Sequence, residues 1–285
     1  MRQAGNPGCP TPAPMPVRSA EESMCLITFA LEYHPRFRLV LAANRDEYFS
    51  RPSAPAAFWA DAPQILAGRD LAAGGTWLGV TAAGRLGAVT NYREPPYGQG
   101  EWLSRGRLVA DYLAGNMSAE DYLAQVRQQG CEYRGFNLLV ADGDGLWYWS
   151  NRGGAPSRVA PGLHGLSNHL LDTPWPKVVS AREGMGRLLR ADSPDPEALF
   201  GLLGDRAAFP DHLLPDTGVG VERERLLSSL FIAGDNYGTR SSTIILMDRA
   251  GPITFMERSY GQDHTAVGTV SHTLSPSEIS KGASS

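Results

Sequence analysis

The stretch MCLITFALEYHPRFRLVLAANRDEYFSRP, residues 24–52, decides how the chain is read. "LITFALEY" and "FRLVLAAN" are β-rich runs, and His34-Pro35-Arg36 between them has the length of a hairpin loop. Antiparallel pairing would return Asn44-Arg45-Asp46-Glu47, at the end of the second run, to the side of Cys25 at the start of the first. An arginine there favours a thiolate, and a carboxylate can orient a neighbouring amine. Two plainer readings stand beside this one. Free cysteines are often small buried hydrophobes, and a polar string at a strand end often forms a turn with a surface ion pair.

A cysteine directly after a methionine has a further chemical meaning. At the first position of a chain it would carry its own general base, because an α-amine is partly neutral near pH 7. Residues 1–23 hold five prolines between Pro7 and Pro16 and almost no large apolar side chain. They are expected to be a disordered tail, a removed pro-segment, or an overcalled start with Met24 as the real first residue.

Composition sets the outer limits. The 285 residues are 42% apolar and 20% charged with a net charge of −4, the profile of an ordinary soluble globular protein. No basic block points to nucleic acid, no apolar run is long enough to span a membrane, and no secretory signal is visible, so the expected compartment is the cytoplasm. Cys9, Cys25 and Cys131 show neither a disulfide framework nor metal-ligand spacing. No metal and no required cofactor are expected, a small molecule is the expected partner, and the oligomeric state is left open.

Short strands are predicted at "PQILAGRD", "GGTWLGVT" and "GRLGAVTNY", followed by helices at "SRGRLVADYLAG" and "SAEDYLAQVRQQG", the second opening with Ser118 and Asp121 in capping register. "FNLLVADGDGLWYWSN" reads as a hairpin and "LHGLSN" as a short strand; helical patterns recur over 175–190, 195–204 and 221–230. "SSTIILMD" and "PITFMERS" form a last hairpin. Grouped strands separated by paired helices predict an α+β fold in which two sheets pack face to face with helices outside. One domain over 24–260 is expected, with 261–285 a loose C-terminal tail. Trp147-Tyr148-Trp149 alternates along a strand, so one face at most is expected to reach a core, and Cys131 is expected to be buried.

Five blocks in order, "MC", "AANRDEYFSRP", "GGTWLGVTAAGRLGAVTNYRE", "GLSNHLLDTPWPKV" and "YGTRSSTIIL", resemble the NRDE-motif family, also called the transport and Golgi organisation protein 2 family, over roughly residues 24–260. That resemblance implies an N-terminal nucleophile hydrolase type of fold, a four-layer αββα sandwich of two antiparallel sheets flanked by helices. It is distantly similar to choloylglycine hydrolase and penicillin V acylase, which cut non-peptide amides. By this likeness Cys25 is the nucleophile, Arg45 and Asp46 assist it, Asn168 binds the oxyanion and Arg240 is the late arginine. Arg45 and Asp46 are adjacent here, whereas the hydrolases separate the corresponding pair. Asn91 is a second oxyanion candidate, Arg240 reads equally as a turn residue, and Asn44, Glu47, Asn91 and His169 are expected to bind ligand. His164 and His169 around Asn168 lack a metal-ligand spacing. The implied activity is a cysteine-dependent hydrolase or acyltransferase acting on a non-peptide amide or thioester. The alternative is a non-catalytic carrier of haem, acyl-CoA or lipid on the same fold.

Overall fold

A computed structural model describes residues 24–95, 102–191 and 193–275. The expectation for residues 1–23 lies outside the described residues. In chain order the strands are β1 (Met24–Leu31), β2 (Phe37–Tyr48), β3 (Ser53–Trp59), β4 (Ala62–Asp70), β5 (Leu78–Thr81) and β6 (Leu86–Asn91). Helices α1 (Arg105–Ala114) and α2 (Ala119–Gln128) follow, then β7 (Phe136–Ala141), β8 (Leu146–Ser150), β9 (Ser157–Arg158) and β10 (Gly162–Leu166). Helices α3 (Pro176–Leu188), α4 (Pro196–Leu203) and α5 (Val221–Leu226) precede the closing strands β11 (Tyr237–Asp248), β12 (Ile253–Tyr260) and β13 (Ala266–Leu274).

The strands form two sheets, in the orders β10-β1-β2-β11-β12-β13 and β3-β4-β5-β6-β7-β8-β9. The register pairings along both sheets are antiparallel. Strand alternation explains the layering. In β1, Ile27 and Phe29 join Leu41, Leu66, Val80, Ala88 and Leu139 in one apolar layer between the sheets. Leu26 and Ala30 point the other way, Leu26 onto Val178 and Ala181 of α3 and Ala30 into a cluster with Met185, Leu199 and Phe200. On the far side, α1 and α2 cover the second sheet through Val109, Tyr112, Leu123 and Val126 against Ile65, Val89, Leu138 and Val140. The result is α+β with helices on both outer faces, compatible with the N-terminal nucleophile sandwich. Each fully buried side chain of this size contributes roughly 1.5–3 kcal/mol from leaving water.

Two glycines let the helices approach. A Cβ at Gly79 would stand 2.9 Å from Leu113 of α1, and one at Gly165 would stand 2.6 Å from Val178 of α3. The helix ends follow their local signals: the Ser118 hydroxyl accepts from the Asp121 N–H, the Asp195 carboxylate accepts from the Glu197 N–H, and Pro176 and Pro196 open their helices.

Three expectations change. Residues 266–274, read as part of a loose tail, form β13 paired along β12; they lack an alternating apolar pattern because they lie on an exposed edge. β3 is absent from the sequence reading because "SAPAAFW" is small and proline-broken, and it too is an edge strand. Both faces of β8 are covered, Trp147 and Trp149 against the helix layer and Tyr148 against the inter-sheet core, because that sheet is sandwiched on both sides.

Candidate active site

The β1–β2 hairpin brings the expected pieces together. Cys25 pairs with Arg45, Met24 with Asp46 and Leu26 with Asn44. The NRDE string is not a turn; it continues β2 through Tyr48. Its four residues therefore divide between two faces. Arg45 and Glu47 point with Cys25 into a cavity at one end of the inter-sheet space, while Asn44 and Asp46 point toward the helices.

The cavity is about 570 Å³ in volume and is lined by Cys25, Asn91 and Ser241, with Trp77, Trp102 and Leu103 adding apolar wall. Among the described residues its charge is lopsided: six arginines, Arg45, Arg51, Arg69, Arg105, Arg134 and Arg240, line it with three carboxylates, Glu47, Asp70 and Glu257, and Arg69 is paired with Asp61 at 2.6 Å. Arg51 grips Asp70 at 2.6 Å, and Arg45 lies 3.4 Å from Glu47. Burial pushes the carboxyls of Glu47 and Glu257 upward, against the pull of Arg45. Glu257 of β12 also accepts the Ala56 backbone N–H of β3 at 2.7 Å, joining the two sheets at the cavity wall.

The helix-side face of the same hairpin end is closed. Asp46 is fully buried and accepts the Thr239 hydroxyl at 2.6 Å. Burial raises its carboxyl to about 7, opposed by the Lys177 ammonium and the Thr239 hydrogen bond. Lys177, in the first turn of α3, is 3% exposed and donates to the Leu227 carbonyl at 3.1 Å. Burial, with repulsion from Arg93, lowers it to about 8. Arg93 forms a buried pair with Glu224 at 2.6 Å. The Met24 N–H donates to the Tyr237 hydroxyl at 2.6 Å, and Met24 packs against Leu227, Ile232 and Tyr237.

The remaining expected residues separate. Asn44 is spent on structure: its amide donates to the Leu203 and Leu230 carbonyls and its oxygen accepts from Ser242. Asn168 is fully buried, accepting from Ser167 and donating to the Asn91 carbonyl, and it does not line the cavity. Of the two oxyanion candidates, Asn91 is the one on the cavity wall. His169 is held at both ring nitrogens, by Tyr92 and Thr173, and lies away from the lining. His164 is likewise tied to Asp172 and the Ala160 carbonyl. Arg240 lines the cavity but donates to the Tyr48, Phe49 and Arg51 carbonyls, which makes it also the clasp of the β2–β3 turn. Cys131 is exposed, not buried, because it falls in a single helical turn at the surface after α2.

Sequence reasoning missed Lys177, Arg93, Glu224, Tyr237 and Glu257. One signal was available for Lys177: a cation directly after the proline that opens a helix sits at the end where the dipole disfavours it. Among the described residues no group of three or more His, Cys, Asp or Glu gathers as a metal would require. Of side chains able to ligate haem iron, the cavity lining offers Cys25 and Tyr260.

The family model described as Transport and Golgi organisation 2 matches residues 24–262. The chain belongs to the Transport and Golgi organisation 2 family. It is 39% identical to the Transport and Golgi organization protein 2 homolog of Bos taurus over 271 residues, covering 87% of this chain and 98% of the relative. The Homo sapiens homolog is 40% identical over 260 residues, 83% of this chain and 93% of its own length. The Drosophila melanogaster member, Transport and Golgi organization protein 2, is 30% identical over 271 residues, 83% of this chain and 92% of the relative. The family match begins at Met24, the residue before the cavity cysteine. No described helix is long and apolar enough to cross a membrane.

Proposed function

We propose that this family member is a cysteine-dependent hydrolase or acyltransferase acting through Cys25 on a non-peptide amide or thioester that carries an anionic group. The observation that carries the reading is one cavity lined by Cys25 and Arg45, in register across β1 and β2, and by Asn91 of β6 in the opposite sheet. Arg45 favours the thiolate electrostatically. The thiolate adds to the carbonyl carbon, and the Asn91 side-chain amide stabilises the oxyanion. Collapse expels the amine or thiol, which takes up a proton, and leaves an acyl group on Sγ; water or a second acceptor then removes it. An α-amine serves as base in this scheme only after the Met24–Cys25 bond is cut, since the Cys25 nitrogen lies in a peptide bond here. The arginine excess supports the substrate class: a phosphate or carboxylate at the far end of the substrate would be paired rather than buried alone.

A second reading uses the same cavity without turnover, as the binding pocket of an anionic acyl or haem cargo. The six arginines and the Cys25 and Tyr260 side chains support it. The deciding experiment incubates the full chain and its Cys25→Ser variant with a panel of acyl thioesters and amides, with and without a terminal phosphate or carboxylate. Product formation lost in Cys25→Ser supports the hydrolase. Saturable binding without product in either protein supports the carrier and overturns catalysis.

A further inference from the structure

A second cavity, of about 460 Å³, opens at the other end of the inter-sheet space. Cys25 lines the first cavity and Leu31 the second; six residues apart on β1, they stand about 20 Å from each other along the strand. The two cavities share no lining residue. The floor of the second is the inter-sheet core itself, since Leu39, Leu146, Val159 and Met247 both line it and belong to that apolar layer. Sites for small molecules combine such walls with a few polar groups that fix orientation.

Arg38 of β2 supplies the polar group. Its Nη2 lies 3.5 Å from the Gly84 carbonyl in the turn between β5 and β6, and 3.6 Å from the Met247 sulfur, a weak acceptor. Both contacts are too long to satisfy a guanidinium with five N–H donors, and among the described residues Arg38 makes no ion pair. Gly84, at φ +81°, leaves the room for it, because a Cβ there would stand 2.8 Å from Arg38 Nη2. Three carboxylates also line the cavity. Glu32 is paired with Arg249 at 2.5 Å, and Asp142 accepts the Ala119 and Asp144 N–H groups. Asp144 is exposed at the tip of the β7–β8 hairpin, where Arg158 donates to its backbone carbonyl. Arg38 is left as a half-buried cation without a counter-charge beside an apolar floor, a cost that a bound anion lowers.

We infer that this cavity is a binding site for an apolar monocarboxylate, with its hydrocarbon body on Leu39, Leu146, Val159 and Met247 and its carboxylate on the Arg38 guanidinium. A guanidinium takes a carboxylate through two parallel N–H···O bonds, which fixes the head while the walls accept the body. Repulsion from Glu32, Asp142 and Asp144 disfavours a phosphate or another multiply charged head. That separates this site from the arginine-lined cavity at Cys25, and the inference stands whether or not Cys25 is a nucleophile.

Isothermal titration of the full chain with decanoate, kept below its micelle concentration, tests the site, with decanol as the uncharged comparison. Decanoate is expected to show one saturable binding event, at least about tenfold tighter than decanol. Arg38→Met removes the charge and keeps most of the length; it is expected to weaken decanoate by about tenfold or more and to leave decanol within about twofold. Ala160→Trp fills the exposed mouth rather than the core and is expected to abolish binding of both probes. Arg45→Met, in the other cavity, is expected to leave decanoate affinity within about twofold. The two variants of this cavity act on different walls, so either decides the matter if the other does not fold. Decanoate affinity unchanged in Arg38→Met or in Ala160→Trp, or lost in Arg45→Met instead, places the anion elsewhere and overturns the site. Equal affinity for decanoate and decanol, or no saturable binding to the wild-type chain, overturns it as well.

Discussion

The two faces of one hairpin end differ in what they offer a ligand. On one face, Cys25, Arg45 and Glu47 look into an open, arginine-lined cavity. On the other, Met24 and Asp46 are sealed under helices with Lys177, Arg93, Glu224 and Tyr237. Alternation along a strand assigns neighbours in sequence to opposite chemical environments, so Arg45 and Asp46, adjacent in the chain, cannot act on a ligand from the same side. The open face can admit a small molecule, and the closed face is occupied by the protein's own hydrogen bonds and ion pairs.

Breaking the open face is expected to have the largest effect. Cys25→Ser should lower any thioester or amide turnover by at least about a thousandfold while leaving the circular dichroism spectrum unchanged, because the less acidic hydroxyl is a far weaker nucleophile. Residual turnover within tenfold of wild type would move the reaction elsewhere. Next comes the closed face: Glu224→Gln strands the Arg93 guanidinium in a buried site and should cost about 3–5 kcal/mol in urea unfolding. A loss under about 1 kcal/mol would show that water reaches the pair. The asparagines then sharpen the division. Asn91→Ala should reduce turnover by about two to three decades with little change in stability. Asn168→Ala should lower stability by about 1–3 kcal/mol through loss of buried hydrogen bonds, with a smaller effect on rate. The reverse pattern would return the oxyanion role to Asn168.

A further expected effect is in the pH dependence of stability. Asp46 holds its proton up to about 7 in the folded chain against a reference of 3.8, so its contribution makes stability fall as pH rises through that interval. Lys177 loses its proton near 8 when folded against a reference of 10.5, so its contribution makes stability recover as pH rises from 8 toward 10.5. The double variant Asp46→Asn/Lys177→Met should therefore gain most over wild type between pH 7 and 8, read as a difference in Tm across a pH series. A difference that does not vary with pH would mean the pair keeps its ordinary ionisation when buried.

Much of the architecture was legible because β-rich runs, turn residues and helix caps agreed locally. The Ser118 cap and the β1–β2 hairpin are where the residues themselves place them. Edge strands escaped: β3 and β13 face solvent, and with one side unpaired they need no apolar alternation. In the site, Cys25 and Arg45 could be placed together because hairpin pairing is a local relation. Asn44, Asn168 and His169 could not be judged from sequence, because a buried polar residue that braces the backbone has the same letters as one that binds a ligand. Their hydrogen-bond partners, among them the Leu203 carbonyl, the Asn91 carbonyl and Thr173, lie at the far ends of other elements or in loops. Lys177 and Glu224 reach the Leu227 carbonyl and Arg93 only through tertiary packing, and no spacing encodes that.

The Glu257 carboxylate, accepting the Ala56 N–H from the opposite sheet, works as a rivet beside the cavity mouth. Parting the two layers at that point to admit a cargo would break this bond, at a cost of about 1.5–3 kcal/mol.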